Sequence, residues 1–126
     1  MGLGAFSALR LMYSNITIIS GDAMNTLNED AYYALVQTSR IPVLAAFSAS
    51  WCAPCAQLTR TLEGMENEYK NKVSFVKLDV EECQTIAELL DIKSIPTLVL
   101  IKGGEPVAFM AGAQGKTKIE SLLRSS

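Results

Sequence analysis

Two cysteines with two residues between them, Cys52 and Cys55, stand where an apolar run passes into a helical pattern. Residues 43–47 are apolar throughout, which predicts a central strand buried on both faces. After Cys55, apolar residues recur at steps of four, three and four, and this spacing predicts one face of an amphipathic helix. The members of that face are Leu58, Leu62, Met65 and Tyr69. Both thiols are therefore expected at a strand-to-helix junction.

Further strands and helices are predicted on either side of this junction. The other strands are predicted at residues 16–19, 73–80, 97–101 and 106–110. The other helices are predicted after an Asn28 cap, around residues 86–90 and around residues 119–123. The order is β-α-β-α-β-α-β-β-α. Crossover helices make the early strands parallel, and the glycine turn at residues 102–105 makes the last pair antiparallel. We therefore expect an α/β fold whose mixed central sheet is flanked by helices on both faces.

Length and composition exclude several classes of protein. The 126 residues suffice for one domain and leave no room for a nucleotide-binding half. The chain has no His, which removes Ser-His-Asp triads, Cys-His pairs and mixed Cys/His zinc sites. A net charge of −2 without basic blocks argues against nucleic acid as a partner. The longest apolar run, about seven residues, is far below the ~18 that cross a bilayer, so we expect no membrane partner.

Residues 1–14 are a candidate targeting segment. They contain one basic residue, Arg10, and no acid, since the first acidic residue is Asp22. A secretory signal fits poorly because there is no basic leading region. A mitochondrial-type presequence fits better, although such segments are usually richer in Arg and Ser; an ordinary extension of the domain stays open as the alternative. We expect the domain itself to span residues 15–126.

The cysteine pair predicts dithiol redox chemistry. The chain has three cysteines, too few for a secreted disulfide scaffold, which favours a reducing compartment. At a helix N-terminus, unpaired backbone N–H groups and the helix dipole favour a thiolate at Cys52, and the spacing puts Cys55 within reach for a disulfide. Pro54 suits the first helical turn, where its missing N–H costs nothing. A zinc site would need a second cysteine pair, so no metal is expected; a purely structural disulfide stays open.

Three residues near the pair have two interpretations each. Trp51 is either a core residue or an apolar wall against which another protein docks. Pro96 is either an ordinary proline at the start of a strand or part of the site. Lys77 is either an exposed strand residue or a charge near the thiols.

The segments WCAPC (residues 51–55), IPT (residues 95–97) and KGGEPV (residues 102–107) resemble the thioredoxin family. The resemblance covers about residues 15–125 and implies a thioredoxin fold. It implies that Cys52 is the attacking thiol and Cys55 the resolving thiol. It also implies that the IPT proline is cis, since X-Pro bonds reach that geometry most cheaply. Substrate-binding positions implied by the family are Trp51, Ala53, Pro54, Ile95, Pro96 and Gly112. The family most often has glycine where this chain has Ala53.

Several positions depart from the family pattern. The buried aspartate that the family uses as a base corresponds to Ala46, so that base is missing here. Arg60 stands where many members have a proline that kinks the long helix. Cys83 falls where some eukaryotic members have an extra cysteine; an inert thiol and a regulatory thiol are both open interpretations.

The expected function is a protein-disulfide reductase that needs no bound cofactor. Its expected partners are disulfide-containing client proteins and a flavoprotein of the thioredoxin-reductase type that restores the dithiol. One alternative is an oxidase or isomerase of the protein-disulfide-isomerase kind, and another is a non-catalytic module that uses the groove near Trp51 and Ile95 for binding. We expect a cytoplasmic location, or the matrix of a mitochondrion-type organelle if residues 1–14 are a presequence.

Overall fold

The computed structural model describes residues 24–125, which form a five-stranded mixed sheet with helices on both faces. The strands are β1 Asn25–Thr26, β2 Val43–Ser48, β3 Ser74–Asp79, β4 Thr97–Lys102 and β5 Glu105–Ala111. The helices are α1 Glu29–Thr38, α2 Ala53–Glu66, α3 Gln84–Leu89 and α4 Lys116–Arg124. Over these residues no helix combines the length and apolar character needed to cross a bilayer.

Strand β2 lies at the centre of the sheet, whose order is β1-β3-β2-β4-β5. It runs parallel to β3 and antiparallel to β4, and all six of its residues are buried. The predicted central strand is confirmed. Strand β2 ends at Ser48, so the cysteine pair that follows it lies at the carboxyl end of the central strand.

Each face of the sheet has its own apolar core. On one face, α1 and α3 contribute Tyr32, Val36 and Ile86, which pack with Phe47 and Val99. On the other face, α2 and α4 contribute apolar side chains that pack against the alternate residues of β2, β3 and β4. These helix residues are Leu58, Leu62, Met65, Ile119 and Leu122. The expected mixed sheet with helices on both faces is confirmed.

Local signals at element ends agree with the structure. Asn28 caps α1 because its side-chain oxygen accepts a hydrogen bond from the Ala31 N–H at 2.8 Å. Between β4 and β5, Gly103 and Gly104 both have positive φ, +59° and +81°. Two such residues in succession make the tight turn that joins antiparallel strands, which only glycine adopts freely.

Two boundary predictions need comment. The strand predicted at residues 16–19 lies outside the described residues, and the first strand seen, β1, was not predicted. The apolar spacing predicts Tyr69 on the long helix, but α2 ends at Glu66 and Tyr69 follows it in a series of turns. Tyr69 nevertheless packs on the same core, stacked on Phe75 with ring centroids 5.9 Å apart. The apolar spacing therefore identified its burial and not its backbone conformation.

Candidate active site

Cys52 and Cys55 form a disulfide at the junction between β2 and α2. Cys52 is the N-cap of α2, with extended backbone, and its sulfur accepts a hydrogen bond from the Cys55 N–H at 3.2 Å. The two Cα atoms are 5.2 Å apart, an ordinary distance for a disulfide. Pro54 lies in the first turn of α2, as predicted. The unpaired N–H groups of the first helical turn point toward a sulfur in the cap position, and they stabilise negative charge on it.

Apolar residues from two other loops surround the disulfide. Ala49 forms a small buried cluster with the two cysteines, and Val80 and Ile95 pack against it. Cys52 is 8% exposed and Cys55 is 3% exposed, so the more accessible sulfur is the one that caps the helix. The loops after β3 and before β4 therefore meet at the disulfide.

The peptide bond between Ile95 and Pro96 is cis. The Thr97 hydroxyl donates to the Ser94 carbonyl at 2.7 Å across this bond, and the Pro96 carbonyl accepts from the Gly112 N–H at 2.8 Å. Gly112 has φ +90°, a backbone conformation that favours glycine. The cis geometry implied by the family resemblance is therefore present, and Ile95 packs against the disulfide cluster. Pro96 also stands directly before β4, and its part in the site stays a prediction.

Trp51 lies on the surface beside the disulfide. Its side chain is 69% exposed, which excludes the interpretation of Trp51 as a core residue. Its indole Nε1 donates to the Glu81 carboxylate at 3.4 Å, and the Glu81 N–H donates to the Asp79 carboxylate at 2.8 Å. The indole is thus tied to the loop after β3. The sequence patterns give no sign of Glu81 or Val80 at the site, because a short loop carries no periodicity.

The thioredoxin family profile matches residues 23–125. The chain belongs to the thioredoxin family. It is a thiol-disulfide oxidoreductase of the type that reduces protein disulfides, and its fold is the thioredoxin fold. The resemblance seen in the three sequence segments is confirmed.

Individual thioredoxins show how far the similarity extends. Thioredoxin C-2 of Corynebacterium nephridii is 39% identical over 105 residues, which cover 83% of this chain and 96% of that protein. A bifunctional thioredoxin reductase/thioredoxin of Mycobacterium leprae is 38% identical over 98 residues, which cover 78% of this chain and 21% of that protein. The crystal structure of oxidised mitochondrial thioredoxin 3 from Saccharomyces cerevisiae superimposes with a TM-score of 0.70 and 28% identity. It covers 79% of this chain and 93% of that one.

Ala46 and Lys77 lie opposite each other on the neighbouring strands β2 and β3. Ala46 is 2% exposed and packs in the core under α2. Lys77 is its register partner on β3 and is half-buried. Residues directly opposite each other share a sheet face, so the Lys77 side chain lies on the α2 side of the sheet. Lys77 is thus a strand residue that is half-buried rather than exposed, and its role as a charge near the thiols stays a prediction.

Cys83, the third cysteine of the chain, is fully buried at the start of α3. Its thiol donates to the Leu27 carbonyl with a separation of 3.6 Å. Burial raises the pKa of the Cys83 thiol, and the nearby carboxylates of Glu29, Asp79 and Glu82 raise it further. A buried, protonated thiol is a poor nucleophile, which favours the inert interpretation of Cys83.

Proposed function

We propose that Cys52 is the nucleophile and Cys55 the resolving cysteine of a protein-disulfide reductase. The observation that carries this assignment is the position of the Cys52 sulfur as the cap of α2, where it accepts the Cys55 N–H. A thiolate there is stabilised by the N–H groups and the dipole of the helix terminus. The slightly greater exposure of Cys52 supports the same order of attack.

The reaction converts the dithiol form of this protein into the Cys52–Cys55 disulfide form. The Cys52 thiolate attacks one sulfur of a client disulfide, which forms a mixed disulfide and releases the other client sulfur as a thiolate. The Cys55 thiol then loses its proton and attacks the Cys52 sulfur. This step forms the Cys52–Cys55 bond and releases the second client thiolate. Two electrons pass to the client, whose thiolates take up the protons from solvent and from Cys55.

The client segment binds in the groove beside the disulfide. Trp51, Ala53 and Pro54 are exposed and form one wall, and the cis turn of Ile95 and Pro96 forms the other. Gly112 lies behind that turn, bonded to the Pro96 carbonyl. An extended client chain next to Ile95 would bring its own disulfide against Cys52, with main-chain hydrogen bonds supplying affinity without a sequence requirement.

A flavoprotein reductase of the thioredoxin-reductase type is the proposed electron donor. The relative from Mycobacterium leprae is a bifunctional thioredoxin reductase/thioredoxin, which supports a reductase of this type as the partner. The reductase would reduce the Cys52–Cys55 disulfide by the reverse of the client reaction. The chain itself would work without a bound cofactor.

Mixed-disulfide trapping tests the cysteine assignment. A Cys55→Ser variant, reduced and mixed with an oxidised client such as insulin, should accumulate a mixed disulfide at Cys52 because the resolving step is removed. A Cys52→Ser variant should not, and Cys83→Ser should reduce insulin at the normal rate as the matched control. Trapping by Cys52→Ser instead would reverse the two roles. Binding of clients by a variant without either thiol, with no insulin reduction by the wild type, would support the non-catalytic module.

Residues 1–14 are the proposed targeting segment, and residues 15–126 the proposed domain. Support comes from the absence of acids before Asp22 and from the mitochondrial origin of a structurally similar thioredoxin. We expect a reporter fused after residue 14 to enter an organelle matrix of the mitochondrial type. A cytoplasmic reporter would favour the ordinary extension, and loss of folding on deletion of residues 1–13 would show that they belong to the domain.

A further inference from the structure

The loops that meet at the disulfide are rich in carboxylates. Val80 and Ile95 both pack against the Cys52–Cys55 cluster, so residues 79–82 and 91–95 border the site. These two segments contain four acids, which we call the acidic rim: Asp79, Glu81, Glu82 and Asp91. The other segments at the site, residues 49–57 and 111–115, contain no charged residue.

One carboxylate of the acidic rim lies directly beside the indole that flanks the reactive sulfur. Glu81 accepts from Trp51 Nε1 at 3.4 Å, and its own N–H is fixed by the Asp79 carboxylate at 2.8 Å. Glu81 and Glu82 are both exposed. A client that covers Trp51 must therefore pass close to these negative charges.

Little positive charge lies within the two segments that carry the acidic rim. Lys93 is the single cation in the two bordering segments, and its ammonium is 3.1 Å from the Asp91 carboxylate. Both partners of this pair are highly exposed. That pairing leaves Asp79, Glu81 and Glu82 as the net negative charge of the two bordering segments.

We propose that this thioredoxin selects disulfide clients whose cysteines are flanked by lysine or arginine, and that Glu81 and Glu82 are the specificity-determining residues. The inference rests on the proposed function, because it concerns the approach of a client to Cys52. Complementary charge raises the rate of encounter and suppresses like-charged partners, while it changes the chemical step little. The preference should therefore reside in the second-order rate constant and should weaken as salt screens the charges.

Two synthetic peptides test the selectivity. Each contains one intramolecular disulfide, and they differ only in the residues next to the cysteines, lysine in one and glutamate in the other. The rate constant for reduction by the pre-reduced protein is divided by that for dithiothreitol, which removes intrinsic differences between the two disulfides. We expect the lysine peptide to be favoured about tenfold at low ionic strength, and the ratio to fall to about twofold in 0.5 M salt.

Charge-neutral variants locate the effect. Glu81→Gln keeps an oxygen for Trp51 Nε1, and either Glu81→Gln or Glu82→Gln should lower the ratio about twofold, as expected for one charge several ångströms away in water. Glu105→Gln is the matched control, because Glu105 is the register partner of Lys102 beside the β4–β5 turn, at the end of β4 away from the cysteine pair. Equal normalised rates for the two peptides, or an equal effect of Glu105→Gln, would overturn the inference while reduction itself persists. Reduction of neither peptide would overturn the inference and the proposed function together.

Discussion

Ala46 lies directly opposite Lys77 on neighbouring parallel strands, on the sheet face that α2 covers. The alanine methyl is buried, and the lysine is half-buried. A residue one position from Ala46 on β2 would face the other core, so the pairing depends on this register. This pair of positions therefore places a cation, and no carboxylate, on the α2 side of the sheet.

Ala46→Asp should lower stability and speed client reduction near pH 7. A carboxylate at a position 2% exposed loses its hydration, which costs about 1–3 kcal/mol even with Lys77 opposite. The new acid should titrate above its ordinary value of about 3.9, so its stability penalty should grow as pH rises above that value. As a base it should help to remove the Cys55 proton. Thermal melts and single-turnover insulin reduction at several pH values measure both effects.

Ala46→Asn is the control for this prediction. It has nearly the same volume and polarity without a titratable proton, so it should lower stability without accelerating reduction. An aspartate variant as stable as the wild type and no faster would mean that position 46 does not influence Cys55, or that another group already accepts its proton.

Gly112→Ala should destabilise the domain by about 1–2 kcal/mol, because φ +90° is strained for any residue with a Cβ. The new Cβ would also lie 3.4 Å from the Gln114 side-chain nitrogen. Gly64→Ala offers the opposite case, since Gly64 lies within α2 and a Cβ there meets nothing within 4 Å. It should stabilise by about 0.5–1 kcal/mol. Urea unfolding of the two variants measures the difference, and an equally stable Gly112→Ala would refute the strain argument.

Cys83 should resist alkylation in the oxidised protein, where it is the only free thiol of the three cysteines. We expect iodoacetamide to react on the order of a hundredfold more slowly than with free cysteine until the protein unfolds. Rapid labelling of the native protein would instead support a regulatory thiol.

The same thiol should make the protein less stable in alkali. Its pKa is raised in the folded state from an ordinary value of 9.0, so the folded form holds its proton while the unfolded form loses it. Stability from this group is therefore complete below pH 9 and declines as pH rises above it, by up to about 1.4 kcal/mol per pH unit. Cys83→Ala should show a shallower decline between pH 9 and 10, and equal slopes in urea unfolding for both proteins would contradict the assignment.

The reduction potential should lie near the reducing end of the thiol-disulfide scale. Thioredoxins lie at about −270 mV and protein disulfide isomerase near −180 mV. Equilibration with dithiothreitol buffers, followed by quantification of free thiols, measures the value. A potential above roughly −210 mV would favour the oxidase alternative.

The sequence predicted most of the described fold because its apolar patterns are strong. Residues 43–47 have no polar interruption, and β2 occupies Val43–Ser48. The two-residue strand β1 is too short to produce alternation, and it exists only through its pairing with β3. Tyr69 fits the helical spacing, but α2 ends three residues before it and the following turns bring its ring to the same core. Tertiary packing thus decided what local pattern left ambiguous.

The parts of the site that lie within the sequence motifs were predictable. The adjacency of Cys52 and Cys55 follows from their spacing at a helix start, and the cis Ile95–Pro96 bond follows from the family resemblance. The exposure of Trp51 did not follow, since an aromatic next to a buried strand fits a core equally well. Its bond to Glu81 joins residues thirty positions apart, a contact that only the sheet topology creates.

Because β2 is buried and leads directly to the cysteine pair, the reduction potential of the thiols and the free energy of unfolding of the domain are linked. This strand is hydrogen-bonded on both flanks, so we expect it to open only together with its neighbours in the sheet. The oxidised and dithiol forms, folded and unfolded, therefore make one thermodynamic cycle. A core substitution shifts the reduction potential only by the difference between its effects on the two folded forms, with about 1.4 kcal/mol corresponding to 30 mV. Side chains far from the sulfurs can thus be exchanged without retuning electron transfer, provided that they support both forms equally.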